Sequence, residues 1–180
     1  MRREGRGKID AGITACLLAL VLAAWPAAAG ETWGPFRGRF VDVETGQGIA
    51  GGVVLAVWYR SYPTIAGTKH EFFDARESVS SSDGYVTIPR REPPFFSLNI
   101  DTPSFAIFMP GYGEVHRLAE PTNGQKFIDP TVIELRKLKT REERLRNYHY
   151  STVPVMVPLE KCPLYVQALR DERKALGLDR

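Results

Sequence analysis

Residues Val53-Val54-Leu55-Ala56-Val57-Trp58-Tyr59 constrain this 180-residue chain more than any other stretch, because none of the seven carries a charge and the run is apolar throughout. An extended backbone sends successive side chains to opposite faces. Such a run therefore needs cover on both sides, or an inner place in a sandwich of sheets. It is entered from residues 36–43, which read as a strand with Phe36 and Phe40 on one face and Arg37 and Arg39 on the other. Between the two lies Asp42-Val43-Glu44-Thr45-Gly46-Gln47-Gly48, a turn in which Gly46 and Gly48 supply positive φ.

Further strands follow at short intervals. Residues 70–82 form a longer, more polar one with Phe72, Phe73 and Val79 as its main apolar members. Asp83-Gly84 then precedes Tyr85-Val86-Thr87-Ile88, and an Asp-Gly pair between extended runs is a strong hairpin signal. Pro89, Pro93 and Pro94 bracket a loop. Residues 95–100 and 104–109 read as strands, Pro110-Gly111-Tyr112-Gly113 as a turn, and residues 131–138 as the last strand. The expected fold is mainly β: an antiparallel Greek-key β-sandwich of about seven strands over residues 34–138, with a C-terminal helical appendage over 139–180.

The period changes in the appendage. Thr140-Arg141-Glu142-Glu143 is a capping box that opens a short helix over about 141–148. Residues 150–157, ahead of Pro158, form an extended linker. Pro163 suits the first turn of an amphipathic helix over about 163–176, with Cys162, Val166, Leu169 and Leu176 as its stripe, Arg170, Asp171, Glu172, Arg173 and Lys174 as its charged back, and Gly177 as its stop. That stripe requires a surface, either the sandwich or a partner.

The amino terminus has another character. Arg2, Arg3, Arg6 and Lys8 precede an uncharged, Leu- and Ala-rich segment ending in Ala27-Ala28-Ala29, the parts of a secretory signal peptide over residues 1–29 cleaved after Ala29, with Ala27 and Ala29 as the small residues at the site. The rival readings are an uncleaved membrane anchor and a lipoprotein modified at Cys16; all three place the rest of the chain outside the cytoplasm, in the periplasm or secreted. After cleavage no dedicated membrane span is left. Cys162 would then be the sole cysteine, so no internal disulfide forms and burial is its expected state. Residues 30–135 hold 9 Lys+Arg against 13 Asp+Glu, a net of −4, whereas residues 136–180 hold 11 against 6, a net of +5. Two solvated surfaces of opposite sign account for this, and a basic tail that meets an acidic partner or an anionic membrane surface is the alternative.

The stretch GRFVDVETGQGIAGGVVLAVW, followed by SVSSSDGYVTIP and later PGYG, resembles the carboxypeptidase regulatory-like domain family, whose fold is a transthyretin-like β-sandwich. Gly38, Asp42, Thr45-Gly46, Ile49 and Gly51 fill the family's first motif, and Ser82-Asp83-Gly84-Tyr85 its second, with Gly52 where alanine is frequent and Ser81-Ser82 in place of threonine. The resemblance implies a domain that supports or binds and is rarely catalytic. It also brings in the transthyretin-like hydrolases of hydroxyisourate type, but their Tyr-Arg-Gly-Ser carboxyl terminus is not met: this chain ends Gly177-Leu178-Asp179-Arg180, and Tyr59-Arg60-Ser61 lies mid-chain without the glycine.

Other chemistry finds little support in the residues. His70, Phe72 and Asp74 would share a strand face, two ligands with no third, and His116 and His149 are isolated, so neither a metal nor any other cofactor is expected. No G-x-S-x-G, P-loop or dinucleotide fingerprint occurs, and nucleic acid does not suit an exported chain of nearly balanced charge. Structural turns are expected at Gly46, Gly48, Asp83, Gly84 and Gly111. Possible binding residues are Tyr59, Arg60 and Tyr62 on one loop and Tyr148, His149 and Tyr150 on the tail, where exposed aromatics beside cations suit a protein partner in the envelope or a glycan. The expected function is an exported, non-catalytic binding or scaffolding module; the alternatives are a transthyretin-like hydrolase and a carbohydrate-binding module.

Overall fold

The two-faced apolar run becomes the first half of β2 (Val53–Thr64), and its need for cover on both sides organises the protein. The computed structural model describes residues 32–96, 98–114 and 131–178. The expected features at Cys16, Ala27, Ala29 and His116 lie outside the described residues. Around β2 stand β1 (Phe36–Asp42), β3 (Gly67–Val79), β4 (Tyr85–Ile88), β5 (Ser104–Phe108), β6 (Tyr112–Glu114) and β7 (Thr131–Lys137). Helix α1 (Arg141–Tyr150), a 3-10 turn (Leu159–Lys161) and helix α2 (Pro163–Ala175) complete the chain.

The strands form two sheets, ordered β4-β1-β7-β6 and β3-β2-β5. Among the described residues all strand pairings are antiparallel except β1 with β7, which run parallel in the register Gly38 to Thr131 through Asp42 to Leu135. The wholly antiparallel expectation fails at this one pairing. A parallel pair needs a long crossover, and the chain supplies it by building the entire second sheet between β1 and β7. The expected strand over 95–100 is also absent: Phe95, Phe96 and Leu98 lie in a loop, and only Ile100 makes a bridge, to Arg60. Pro93 and Pro94 lack the N–H that a ladder needs. The seventh strand is β6 instead.

Alternation along β2 distributes its side chains between two cores. Val54, Ala56 and Trp58 join Phe36, Phe40, Ile88, Ile133 and Leu135 in a cluster drawn from both sheets. Val53, Leu55 and Val57 point the other way and pack with Cys162, Tyr165 and Ala168 of the tail. The tail is thus the second layer of cover for the central strand. Tyr165, not among the expected stripe residues, is buried against Phe108 with ring centroids 6.1 Å apart. Val166 and Leu169 only flank this contact.

Glu172 corrects the sequence reading outright. Assigned above to the charged back of the helix, it is 2% exposed. Arg144 of α1 makes the burial tolerable, donating from Nε and Nη2 to the two carboxylate oxygens at 2.8 and 2.7 Å. A buried carboxylate so paired escapes the cost of an isolated charge. The expected capping box is present, with Thr140 accepting from the Glu143 amide at 3.1 Å and Glu143 accepting from the Thr140 amide at 3.3 Å.

The turn residues divide in an unexpected way. Asp83-Gly84 makes a turn, closed by the Gly84 N–H on the Ser81 carbonyl at 2.9 Å, but no hairpin, because β3 and β4 lie in different sheets. Gly46 has the expected positive φ, +70°, and Gly111, expected in a turn, has φ +75°. Gly48 does not, and is required by proximity: a Cβ there would meet the Asp83 carbonyl oxygen at 2.0 Å. Gly84 combines both needs, with φ +87° and the Phe40 carbonyl oxygen 2.4 Å from where a Cβ would sit. Two turns distant in sequence are therefore pressed backbone to backbone.

Candidate functional site

Tyr59, Arg60 and Tyr62 stand on the outer half of β2, not on a loop. Strand alternation separates them. Tyr59 packs at the edge of the helix-side core and donates its hydroxyl to the Val155 carbonyl at 3.3 Å, and burial raises its pKa. Arg60 faces the other way, stacked on Phe73 with its guanidinium carbon 4.8 Å from the ring centroid, and donates to the Tyr62 hydroxyl at 3.4 Å.

A bulge in β3 explains the crowding there. Trp58 pairs with Asp74 and Tyr59 with Phe72, which leaves Phe73 as the extra residue. A bulge interrupts alternation, so Phe72 packs on the helix side while Phe73 packs with the inter-sheet cluster. Asp74, opposite Trp58, does not share the face of His70 and Phe72, and the expected ligand pair dissolves. Arg91 covers Phe73 at 4.5 Å and Trp33 at 5.5 Å, and its Nε donates to Asp74 at 2.7 Å. Burial pushes the Asp74 carboxyl upward, but the Arg91 bond, the Ala75 amide and the charges of Arg91 and Lys161 outweigh it and hold its pKa below the ordinary carboxylate value.

The topology assembles one group that no sequence motif announces. Ser61, His70 and Asp101 come from β2, β3 and the segment before β5. The Ser61 Oγ lies 2.9 Å from His70 Nδ1 and donates to Asp101 Oδ2, while His70 Nδ1 is 3.7 Å from the same carboxylate. The residue types are those of a hydrolytic triad; the connectivity is not. An activated serine gives its proton to the imidazole, whose other nitrogen is held by the acid. Here the single hydroxyl proton goes to the carboxylate, and serine and acid approach the same ring nitrogen. His70 is also exposed. The arrangement ties β2 and β3 to the segment before β5.

Tyr148, His149 and Tyr150 form the last turn of α1, with Tyr148 half-buried and the other two exposed. The structure does not bring these residues together with Arg60 or Tyr62; the link is the bond from Tyr59 to Val155. Beyond them the chain makes a turn closed by the Val157 N–H on the Pro154 carbonyl at 3.2 Å, with Met156 at φ +70°. That third turn position ordinarily takes glycine or asparagine. Val155, Met156 and Leu159 are all exposed. The following helix is capped from afar: Glu77 of β3 accepts from the Leu164 and Tyr165 amides at 2.6 and 2.9 Å, while the N-cap Cys162 makes no side-chain cap bond. Cys162 is free and fully buried, and burial, followed by the charges of Glu77 and Glu160, raises its thiol pKa.

Among the described residues, no three His, Cys, Asp or Glu side chains group to hold a metal ion. A hollow lined by Met109, Tyr112, Asn147 and Ser151 measures about 10 Å³, room for about one water. No helix among the described residues is long and apolar enough to cross a membrane. Sequence reading singled out none of Ser61, Asp101, Arg91 and Met156 as site residues, and placed Phe73 only as an apolar strand member. Met156 alone had a local signal, as an apolar residue in a turn framed by Pro154 and Pro158. No family model, curated protein or solved structure matches this chain.

Proposed function

We propose that this chain is an exported, non-catalytic Greek-key β-sandwich of carboxypeptidase regulatory-like type that binds or scaffolds in the periplasm or cell envelope, with a protein as its partner. The resemblance gains support from the packing of its two motifs, since the Gly46–Gly48 and Asp83-Gly84 turns meet through Gly48 and Gly84.

Met156 carries the binding reading. Holding a side chain other than glycine at positive φ costs about 1–2 kcal/mol, and Met156 is 53% exposed. The strain is thus not repaid by burial within the protein. Val155 and Leu159 beside it are 80% and 57% exposed, so three apolar side chains face solvent where the backbone is strained. A partner that covers them accounts for both costs, and methionine suits an adaptable contact.

A photo-crosslinking residue placed at Met156, and separately at the exposed Thr87 on β4, tests this in intact source-cell envelopes. One discrete heavier species from position 156, with none from position 87, is the expected result. Absence of adducts at 156, or the same smear from both positions, overturns the reading.

A further inference from the structure

The outer half of the β2–β3 hairpin has an unpaired backbone edge, and the register identifies the groups it presents. Ile65 and Ala66 form a two-residue turn between Thr64 and Gly67, which pair, and a hydrogen-bonded pair closes such a turn. Antiparallel pairs alternate in kind. Tyr62 with Lys69 and Arg60 with Glu71 therefore exchange hydrogen bonds, while Thr68, His70 and Phe72 direct their N–H and C=O groups away from β2. The segment on the other side of β2 fixes the same phase. The Ser61 amide donates to the Asn99 carbonyl at 2.8 Å, and the Tyr59 carbonyl accepts from the Asp101 amide at 3.0 Å. Ser61 and Tyr59, opposite His70 and Phe72, thus turn their backbone groups away from β3.

Nothing among the described residues meets the outward groups of Thr68, His70 and Phe72 with a backbone bond. β3 is the end strand of its sheet. The bonds that reach it from Arg91, Lys161, Arg90 and α2 all fall further along, at Asp74, Arg76 and Glu77. The bulge at Phe73 separates that stretch from residues 67–72.

We infer that a second copy of this chain occupies the edge, its residues 67–72 antiparallel to those of the first about a two-fold axis at His70. Charge selects both the occupant and the register. With His70 opposite His70 of the second copy in a hydrogen-bonded pair, Thr68 pairs with Phe72 and Lys69 stands directly opposite Glu71, once on each side of the axis. Opposite charges so placed stabilise a sheet, and like charges destabilise it. An axis one residue earlier sets Lys69 against Lys69; one residue later, Glu71 meets Glu71. Within one chain Lys69 and Glu71 lie 2.7 Å apart, so the dimer closes a ring of alternating charges. An edge lysine ordinarily discourages strand pairing, but here the second copy brings its complement. The two His70 rings meet at the axis, each with the Asp101 carboxylate of its own chain 3.7 Å from Nδ1 to offset their charge.

The test uses the chain beginning at Gly30, which keeps every buried residue of both cores, and sedimentation velocity over a concentration series up to about 1 mM. The parent chain is expected to pass from monomer to dimer. Lys69→Glu sets acids against acids across the axis, and Glu71→Lys sets bases against bases. Each variant alone is expected to dimerise at least about tenfold more weakly. An equimolar mixture of the two is expected to restore the dimer, because every pair across the axis then joins an acid to a base. No contact within one chain produces that rescue. Both are surface changes, so the melting temperature of each variant is expected to match the parent's where the parent is monomeric, which separates a lost interface from a lost fold. A parent chain that stays monomeric, single variants that dimerise as it does, or a mixture that fails to recover the dimer each overturns the pairing. None of these outcomes bears on crosslinking at Met156.

Discussion

Glu77→Ala removes the acceptor that joins the tail to the sheet. In α2 the N-cap is Cys162 and Pro163 has no N–H, so the first amides needing partners are those of Leu164 and Tyr165, and Glu77 takes both. Loss of a side-chain cap costs about 1 kcal/mol, and loss of a carboxylate near a helix N-terminus about 0.3–1 kcal/mol more. The amides then differ. Leu164 is exposed, so water replaces the carboxylate there, whereas Tyr165 is 1% exposed and its amide faces part of the desolvation cost of about 1–3 kcal/mol. These contributions overlap, and the expected net loss is about 2 kcal/mol, or about 4–8 °C in melting temperature for a chain of this size. Urea unfolding gives the free energy, and hydrogen exchange at Leu164 and Tyr165 gives the site. Glu160→Ala, an exposed acid on the adjacent 3-10 turn, is the control. A Glu77→Ala loss within about 0.5 kcal/mol of that control, or unchanged exchange at both amides, would refute the long-range cap.

Cys162 is expected to resist a thiol reagent in the native state and to react at a rate set by opening of α2; prompt stoichiometric labelling would show that the helix is not seated on Val53, Leu55 and Val57. Arg144→Ala strands the buried Glu172 carboxylate and is expected to cost about 3 kcal/mol, with Glu172→Gln restoring part of the loss in the double variant; additive effects in urea unfolding would contradict the pairing. Asp74, Asp83 and Glu143 all have pKa values held below the ordinary carboxylate range. Their folded values lie below their unfolded ones, so their contribution is present above about pH 5 and is lost as pH falls through the folded values. Asp74→Asn should flatten that acid limb in a urea series from neutral pH downward, and an unaltered limb would remove Asp74 from the account.

The central strand was legible because its chemistry admits one solution: seven consecutive apolar residues cannot stand with a wet face. The capping box was legible because both reciprocal bonds lie within four residues. What escaped reading depends on contacts distant in sequence. Glu172 has the composition of a surface position and is buried only because Arg144, on another helix, reaches both its oxygens. Phe95 and Phe96 have strand composition, yet the preceding prolines remove the donors and leave the rings in solvent. The outer half of β2 contains Pro63 and polar residues, so it resembled a loop, and Tyr59, Arg60 and Tyr62 were grouped although alternation sends them to different faces. The bulge at Phe73 shifts every face assignment on one side of it, and no local pattern marks it. Ser61, His70 and Asp101 meet only because three segments are in register.

The parallel pairing of β1 with β7 also sets a timetable. The Asp42 partner is Leu135, so an emerging chain can close the β2–β3 hairpin early but cannot complete the first sheet until nearly the whole β-rich region has been delivered. The other face of β2 waits longer still, for Tyr165 and Ala168. Through most of its synthesis the most apolar strand lacks its full cover on both sides. The interval in which this protein needs protection from its neighbours is therefore written into its strand order, and it ends only when the last helix arrives.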